Sequence, residues 1–229
     1  MQITGSTALV TGANRGLGAA FVQELLDRGA AKVYAAARNP GPSTDPRVVP
    51  LRLDVTDPEQ VAEAAAAATD VDLVINNAGS HSGARIADGD LAGIQADLDT
   101  NFFGPIVVTR AFAPALAANG GGAVVTVHSV LSWITAGDGY SASKAAAWSA
   151  TNALRPALAP AGTTVTGVHV GFIDTDMAAH IDAPKTSPRD VAARALDGVE
   201  AGVAEVLADD VTRTVKSALA GDPMALPVG

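Results

Sequence analysis

"TALVTGANRGLGAAF", residues 7–21, runs from a short apolar stretch into glycines at 12, 16 and 18, then into Leu17, Phe21 and Leu25 at helical spacing with Val22 and Leu26 beside them. The order is strand, glycine-rich loop, helix. Glycines allow a tight turn and a close approach of backbone to a ligand, and the free N–H groups of a helix start point at whatever sits there. A pyrophosphate suits such a place. The spacing G-x3-G-x-G departs from the G-x-G-x-x-G dinucleotide fingerprint, and no Gly-Lys-Ser/Thr follows, which excludes a P-loop. A glycine turn made only for packing is the alternative at this stage.

The same alternation continues outward. Strand-length apolar runs occur at 7–11, 32–37, 48–54, 72–76, 123–128 and 164–170, with helical patterns between them and Gly29 placed as a C-cap after the first. That order predicts an α/β fold of parallel strands joined by right-handed crossovers, and the unbroken apolar strands fit a sheet covered on both faces. No internal repeat or linker divides the chain. A single domain over 1–229 is expected, with "NPGPSTDP" (39–46) only a connection.

The chain has 229 residues, 48% hydrophobic, a formal charge of −9, no cysteine and four scattered histidines. An acidic chain without a Lys/Arg cluster repels nucleic acid and anionic membrane surfaces, so an anionic ligand must be held by local donors. Disulfides and thiolate metal sites are excluded, and no metal is expected. Every apolar stretch is interrupted short of a membrane span, and "MQITGSTALVTG" lacks the features of a signal peptide. A cytoplasmic protein is expected.

"TGANRGLG" (11–18), "NNAG" (76–79), Asn101, Ser129 and "YSASK" (140–144) stand in the order and approximate spacing of the short-chain dehydrogenase/reductase family, which the chain resembles from Thr4 to about Met177. The resemblance implies a Rossmann-type doubly wound sheet in three αβα layers, strand order 3-2-1-4-5-6 with room for a seventh, and a nicotinamide cofactor across the carboxyl ends of the strands. It assigns cofactor contacts to Gly12, Asn14, Arg15, Gly16, Leu17 and Gly18. Asn76, Ala78 and Gly79 would line the ribose and stabilise the central sheet. Asp54, with Val55 beside it, resembles the contact to the adenine amino group.

In NAD-binding Rossmann units an acid at the end of the second strand bonds the ribose 2′-OH. Here that position is Ala37, Arg38 follows, and Arg15 lies in the glycine loop. Two guanidinium forks make a phosphate site, so NADP(H) is the expected cofactor.

Tyr140 and Lys144 share a helix face at i, i+4. A free phenol titrates near 10, and a neighbouring cation favours the phenolate. Bringing it to roughly 7 takes about 4 kcal/mol at about 1.36 kcal/mol per unit, which Lys144 and an oxidised nicotinamide are expected to supply. Tyr140 is then the general acid in carbonyl reduction and the base in alcohol oxidation. The resemblance adds ribose hydroxyls as partners of Lys144, Ser129 as the group orienting the carbonyl, and Asn101, by side chain or backbone, as holder of a relay water. Ser132 competes with Ser129, and the passage from Ser129 to Tyr140 is shorter than family members most often have.

Gly171, Ile173 and Thr175 match the family's carboxamide and phosphate contacts, although Val170 replaces the usual proline. Pro156 is expected to kink or end the helix that begins near Tyr140. Trp133 and Phe172 are expected beside Ser129 and Tyr140 in the substrate pocket, with His180, Phe103 and Met177 as further candidates. About a dozen residues follow Thr175 before the next helix, predicting a short lid. An apolar lining without a charge partner predicts a neutral ketone or aldehyde, and the acidic surface and the ending "ADDVTRTVKSALAGDPMALPVG" argue against acyl carrier protein substrates. The other classes are a non-catalytic NADP-binding sensor, which would tend to lose Tyr140 or Lys144, and an epimerase or dehydratase, which would need a larger C-terminal region. A homodimer or homotetramer is expected from the resemblance.

Overall fold

The computed structural model describes residues 1–221; residues 222–229, the end of the terminal stretch quoted above, lie outside the described residues. Seven parallel strands form one sheet: β1 (Thr7–Thr11), β2 (Lys32–Ala37), β3 (Val48–Arg52), β4 (Leu73–Asn76), β5 (Gly122–Val127), β6 (Thr163–His169) and β7 (Glu205–Leu207). Their order is β3-β2-β1-β4-β5-β6-β7, the doubly wound arrangement with the seventh strand present. Between them run α1 (Gly16–Asp27), α2 (Pro58–Ala67), α3 (Leu91–Leu98), α4 (Gly104–Ala118), α5 (Gly139–Leu158) and α6 (Pro188–Ala201), and α7 (Asp210–Ala218) follows β7.

Strand alternation explains the three layers. Ala8 and Val10 of β1, Leu73 and Ile75 of β4, and Ala123 and Val125 of β5 pack with Leu17, Phe21 and Leu25 of α1 and Val191 and Leu196 of α6. The residues between them, Leu9, Val74 and Val124, pack on the other face with Val61 of α2 and Phe112 and Leu116 of α4. Successive side chains of a strand point to opposite faces, so a wholly apolar strand must be covered twice. Pro50 is tolerated because β3 is an edge strand.

The helix ends are chemically marked. Asp57 caps α2 by accepting from the Glu59 and Gln60 N–H groups ahead of Pro58, and Gly29 takes φ +82° just beyond α1, as its spacing predicts. α5 ends two residues after Pro156, so the proline acts as a terminator.

α3 and α4 form one continuous helix, Leu91–Ala118, joined by a π turn at Asp99–Phe103. By length and composition alone that helix could cross a membrane. It carries Asp97, Asp99 and Arg110, however, and Val108, Phe112 and Leu116 are committed to the core.

Candidate active site

The site is built where β1, β4, β5 and β6 end. After β1, Gly12 and Gly16 adopt φ +67° and +54°. A Cβ at Gly18 would stand 2.1 Å from the Gly12 carbonyl oxygen, so loop and helix start meet in backbone contact. Arg15, the N-cap of α1, provides no side-chain cap, which leaves the first N–H groups of α1 for an outside acceptor. Asn14 donates from Nδ2 to the Asn39 carbonyl at 2.7 Å and ties the loop to the segment after β2. Arg38 is exposed on that rim, beside Ala37. Its companion Arg15 forms an ion pair with Asp176 at 2.7 Å, both side chains largely exposed. An uncapped helix start, a cationic rim and no acid at the end of β2 fit a phosphorylated dinucleotide.

The loop after β4 is pinned to the glycine loop. Thr11 Oγ1 accepts from the N–H groups of Asn77 and Ala78, both at 3.0 Å, and Asn77 Nδ2 donates to the Thr11 carbonyl at 2.9 Å. Asn77 and Thr11 were missed by the sequence reading, since each looks like an ordinary member of its motif. Asn76 is buried and donates to Thr109 Oγ1 at 3.0 Å, which ties the end of β4 to α4. Asp54 Oδ1 accepts from Thr56 N and Oγ1, and Val55 packs under Gly104 at the π turn.

Two expected groups, Asn101 and Lys144, meet behind Gly79. Asn101 lies in the π turn, and a Cβ on Gly79 would meet its Oδ1 at 3.3 Å and the Lys144 ammonium at 4.0 Å. Asn101 Nδ2 donates to the Ser80 carbonyl at 2.9 Å and to Ser143 Oγ at 3.0 Å, while Oδ1 accepts from Ser80 N–H. Both amide protons are therefore spent on the loop and α5. Lys144 Nζ donates to the Val127 carbonyl at 2.9 Å and lies 5.6 Å from the Tyr140 ring centroid. Burial pushes its ammonium down to about 8.

Tyr140 stands where burial dominates its titration. Burial pushes its phenol up to about 12, the nearby Ser129 hydroxyl pulls the other way, and the charges of Asp138 and Asp97 add to the rise. Desolvation disfavours the phenolate and outweighs the pull of Ser129.

Ser129 caps a 3-10 turn, Val130–Ser132, and its Oγ accepts from Leu131 N–H at 3.2 Å, which leaves the hydroxyl proton to donate outward. Ser132 turns back towards the Ser129 N–H at 3.5 Å and is not the tyrosine's partner.

Trp133, expected in the substrate pocket, is placed elsewhere. It stacks on His169 with ring centroids 4.0 Å apart, meets Trp148 edge-on at 6.1 Å, and has Lys216 of α7 at 4.7 Å. The turn after Ser129 carries it towards β6 and α7, where it packs between the His169 ring and the Lys216 ammonium.

After β6, Gly171 donates its N–H to Asp209 Oδ2 at 2.6 Å, a support the sequence reading did not find. Thr186 donates to the Phe172 carbonyl and Asp174 to the Thr186 carbonyl, so the short lid closes on itself. Ile173 bridges to Thr186, and Thr175 touches the Gly16 position. Phe172 and Met177 stay exposed, at 44% and 47%, and His180 is exposed as well.

Residues 6–186 match the family model described as short chain dehydrogenase. A short-chain dehydrogenase from Burkholderia cenocepacia, crystallised with NADP, shares 41% identity and superposes with a TM-score of 0.94 over 99% of this chain and 97% of its own. The NADPH-bound carbonyl reductase from chicken fatty liver shares 25% identity at a TM-score of 0.81, over 89% and 98% of the two chains. An oxidoreductase of Staphylococcus aureus is 32% identical over 83% of this chain and 89% of its own length. The ketoacyl reductase HetN of a Nostoc species is 28% identical over 90% and 79%.

Proposed function

Because the chain belongs to the short-chain dehydrogenase family, we propose that it is an NADP(H)-dependent oxidoreductase that reversibly reduces a neutral, apolar ketone or aldehyde to an alcohol. One observation carries the proposal: Tyr140 and Lys144 stand together on α5, the ammonium 5.6 Å from the phenol ring centroid and anchored at 2.9 Å on the Val127 carbonyl, at the carboxyl end of β5 where Ser129 follows. The glycine loop, with Gly12, Asn14, Arg15, Gly16, Leu17 and Gly18, would hold the pyrophosphate, and Arg38 the 2′-phosphate. When bound, the nicotinamide supplies or takes up the hydride.

The chain's own groups handle the proton. Ser129 Oγ, with one lone pair taken by Leu131 N–H, donates its proton to the carbonyl oxygen and fixes its position. Tyr140 Oη delivers its proton to that same oxygen in reduction and withdraws it in oxidation. Lys144 uses one of three ammonium protons on the Val127 carbonyl; the others are free for ribose hydroxyls and for a proton path past the π turn. The exposed Phe172 on the lid supports an apolar substrate.

The test is NADPH absorbance with a panel of neutral and charged ketones and aldehydes. Turnover confined to neutral members is expected. Cofactor binding without turnover across the panel would replace the enzyme with a redox sensor.

A further inference from the structure

Ser80, His81 and Ser82 follow "NNAG" directly, and their side chains divide the labour. Ser80 Oγ donates to Asp97 Oδ1 at 3.1 Å and Ser82 Oγ to Asp97 Oδ2 at 2.7 Å, while Asp97 itself is fully buried in α3. Two further bonds clamp the strap that follows onto the start of α5: Ile86 N–H to the Gly137 carbonyl and Gly139 N–H to the Ala84 carbonyl, each 2.9 Å. His81 is the one member of the triplet whose side chain is not spent on Asp97. It packs against Tyr140, ring centroids 5.0 Å apart and tilted by 52°, with its Nε2 3.0 Å from Asp138 Oδ2.

Asp138 has two duties. Its Oδ1 accepts from Ser141 N–H at 2.8 Å and Ser141 Oγ at 2.7 Å, which caps the helix that presents Tyr140 and Lys144. Its Oδ2 receives His81. The carboxylate is 7% exposed, so its field reaches the phenol with little screening by water. The charged or titratable groups around the imidazole are Asp138, Tyr140 and Lys144 from α5 and Asp97 from α3, and the strap adds Arg85, already paired with Asp88.

We propose that His81 and Asp138 are a positioning pair for Tyr140: Asp138 caps the helix that presents the phenol, and His81 is hydrogen-bonded to that carboxylate and packed on the phenol ring. The pair rests on Tyr140 being the proton donor and adds to that reading two residues with opposed effects. Burial of a like charge near a phenolate raises the phenol's titration, and a hydrogen-bond donor on that charge weakens the effect. Asp138 belongs to the causes that hold the Tyr140 phenol high, after burial.

The experiment compares wild type with His81→Phe, His81→Gln and Asp138→Asn. Asparagine keeps the cap of α5, phenylalanine keeps a ring against Tyr140 but removes the donor, and glutamine keeps a donor. In alcohol oxidation with NADP, the rising limb of log kcat/KM against pH is expected to move up by about half a unit or more in His81→Phe. It is expected to move less in His81→Gln and to move down by about half a unit or more in Asp138→Asn. The Cζ resonance of 13C-labelled Tyr140, separable because the chain has two tyrosines, should begin to titrate at lower pH in Asp138→Asn and at higher pH in His81→Phe. That signal needs no turnover, so an inactive wild type would overturn the proposed function while the resonance still decides the pair. Equal limbs and equal resonances in all four proteins, or shifts of the same sign in Asp138→Asn and His81→Phe, would overturn the pair.

Discussion

Replacing His169 with phenylalanine should flatten the acid limb of the protein's stability. The His169 imidazole is fully buried between Trp133 and His128, and its ring nitrogens find no hydrogen-bond partner. Burial pushes its titration down to about 4, from about 6.5 in an unfolded chain. Glu205 stands 3.6 Å from Nε2 and pulls the other way, but its carboxylate is already held by Lys216 and by Trp148 Nε1, each at 2.9 Å, so burial prevails. Between those two titrations the unfolded chain binds the proton and the folded chain does not. Stability is therefore complete above about 6.5 and falls as pH drops towards 4. A shift of about 2.5 units corresponds to roughly 3 kcal/mol in full, of which about 2.5 kcal/mol is lost between pH 7.5 and 4.5. Phenylalanine preserves the stack on Trp133 and cannot titrate. Urea denaturation at the two pH values should show His169→Phe losing about 2.5 kcal/mol less than wild type across that interval. Equal losses in the two proteins would refute the claim that a buried neutral His169 is maintained against protonation.

Gly18→Ala would place a Cβ 2.1 Å from the Gly12 carbonyl oxygen and 2.7 Å from Asn77 Nδ2, so the glycine loop must shift. A loss of about 1–3 kcal/mol in urea denaturation, accompanied by weakened NADPH binding, is expected; an unchanged midpoint and affinity would contradict the close backbone approach. Arg38→Ala is expected to raise the KM for NADPH about tenfold or more, the order of one charge-assisted hydrogen bond, and to leave that for NADH little changed. Equal effects on the two cofactors would remove Arg38 from the 2′-phosphate.

Much of the fold was legible because its signals are local. The β1 stretch, the glycines after it and the cap at Gly29 are read within a few residues of one another, and the double-faced apolar strands predict the covered sheet. Tyr140 and Lys144 were legible for the same reason, since helical spacing alone puts them together. Partners distant in sequence were not. Asp209 reaches Gly171 across 38 positions and Asp97 reaches Ser82 across 15, and neither acid differs on the page from a surface carboxylate. Trp133 misled because it is near Ser129 in sequence, while the 3-10 turn between them sends it to His169 and Lys216. Spacing places the cation beside the phenol but says nothing of the desolvation that pushes the phenol up.

The most direct test of the central claim is the single-turnover rate of NADPH oxidation by a good ketone substrate in Tyr140→Phe, alongside NADPH binding to the same variant. The phenylalanine ring fills the same place and removes only the proton-bearing oxygen. A rate reduced by about 10²–10⁴-fold with NADPH affinity unchanged is the predicted result; a rate within a few-fold of wild type would contradict Tyr140 as the proton donor.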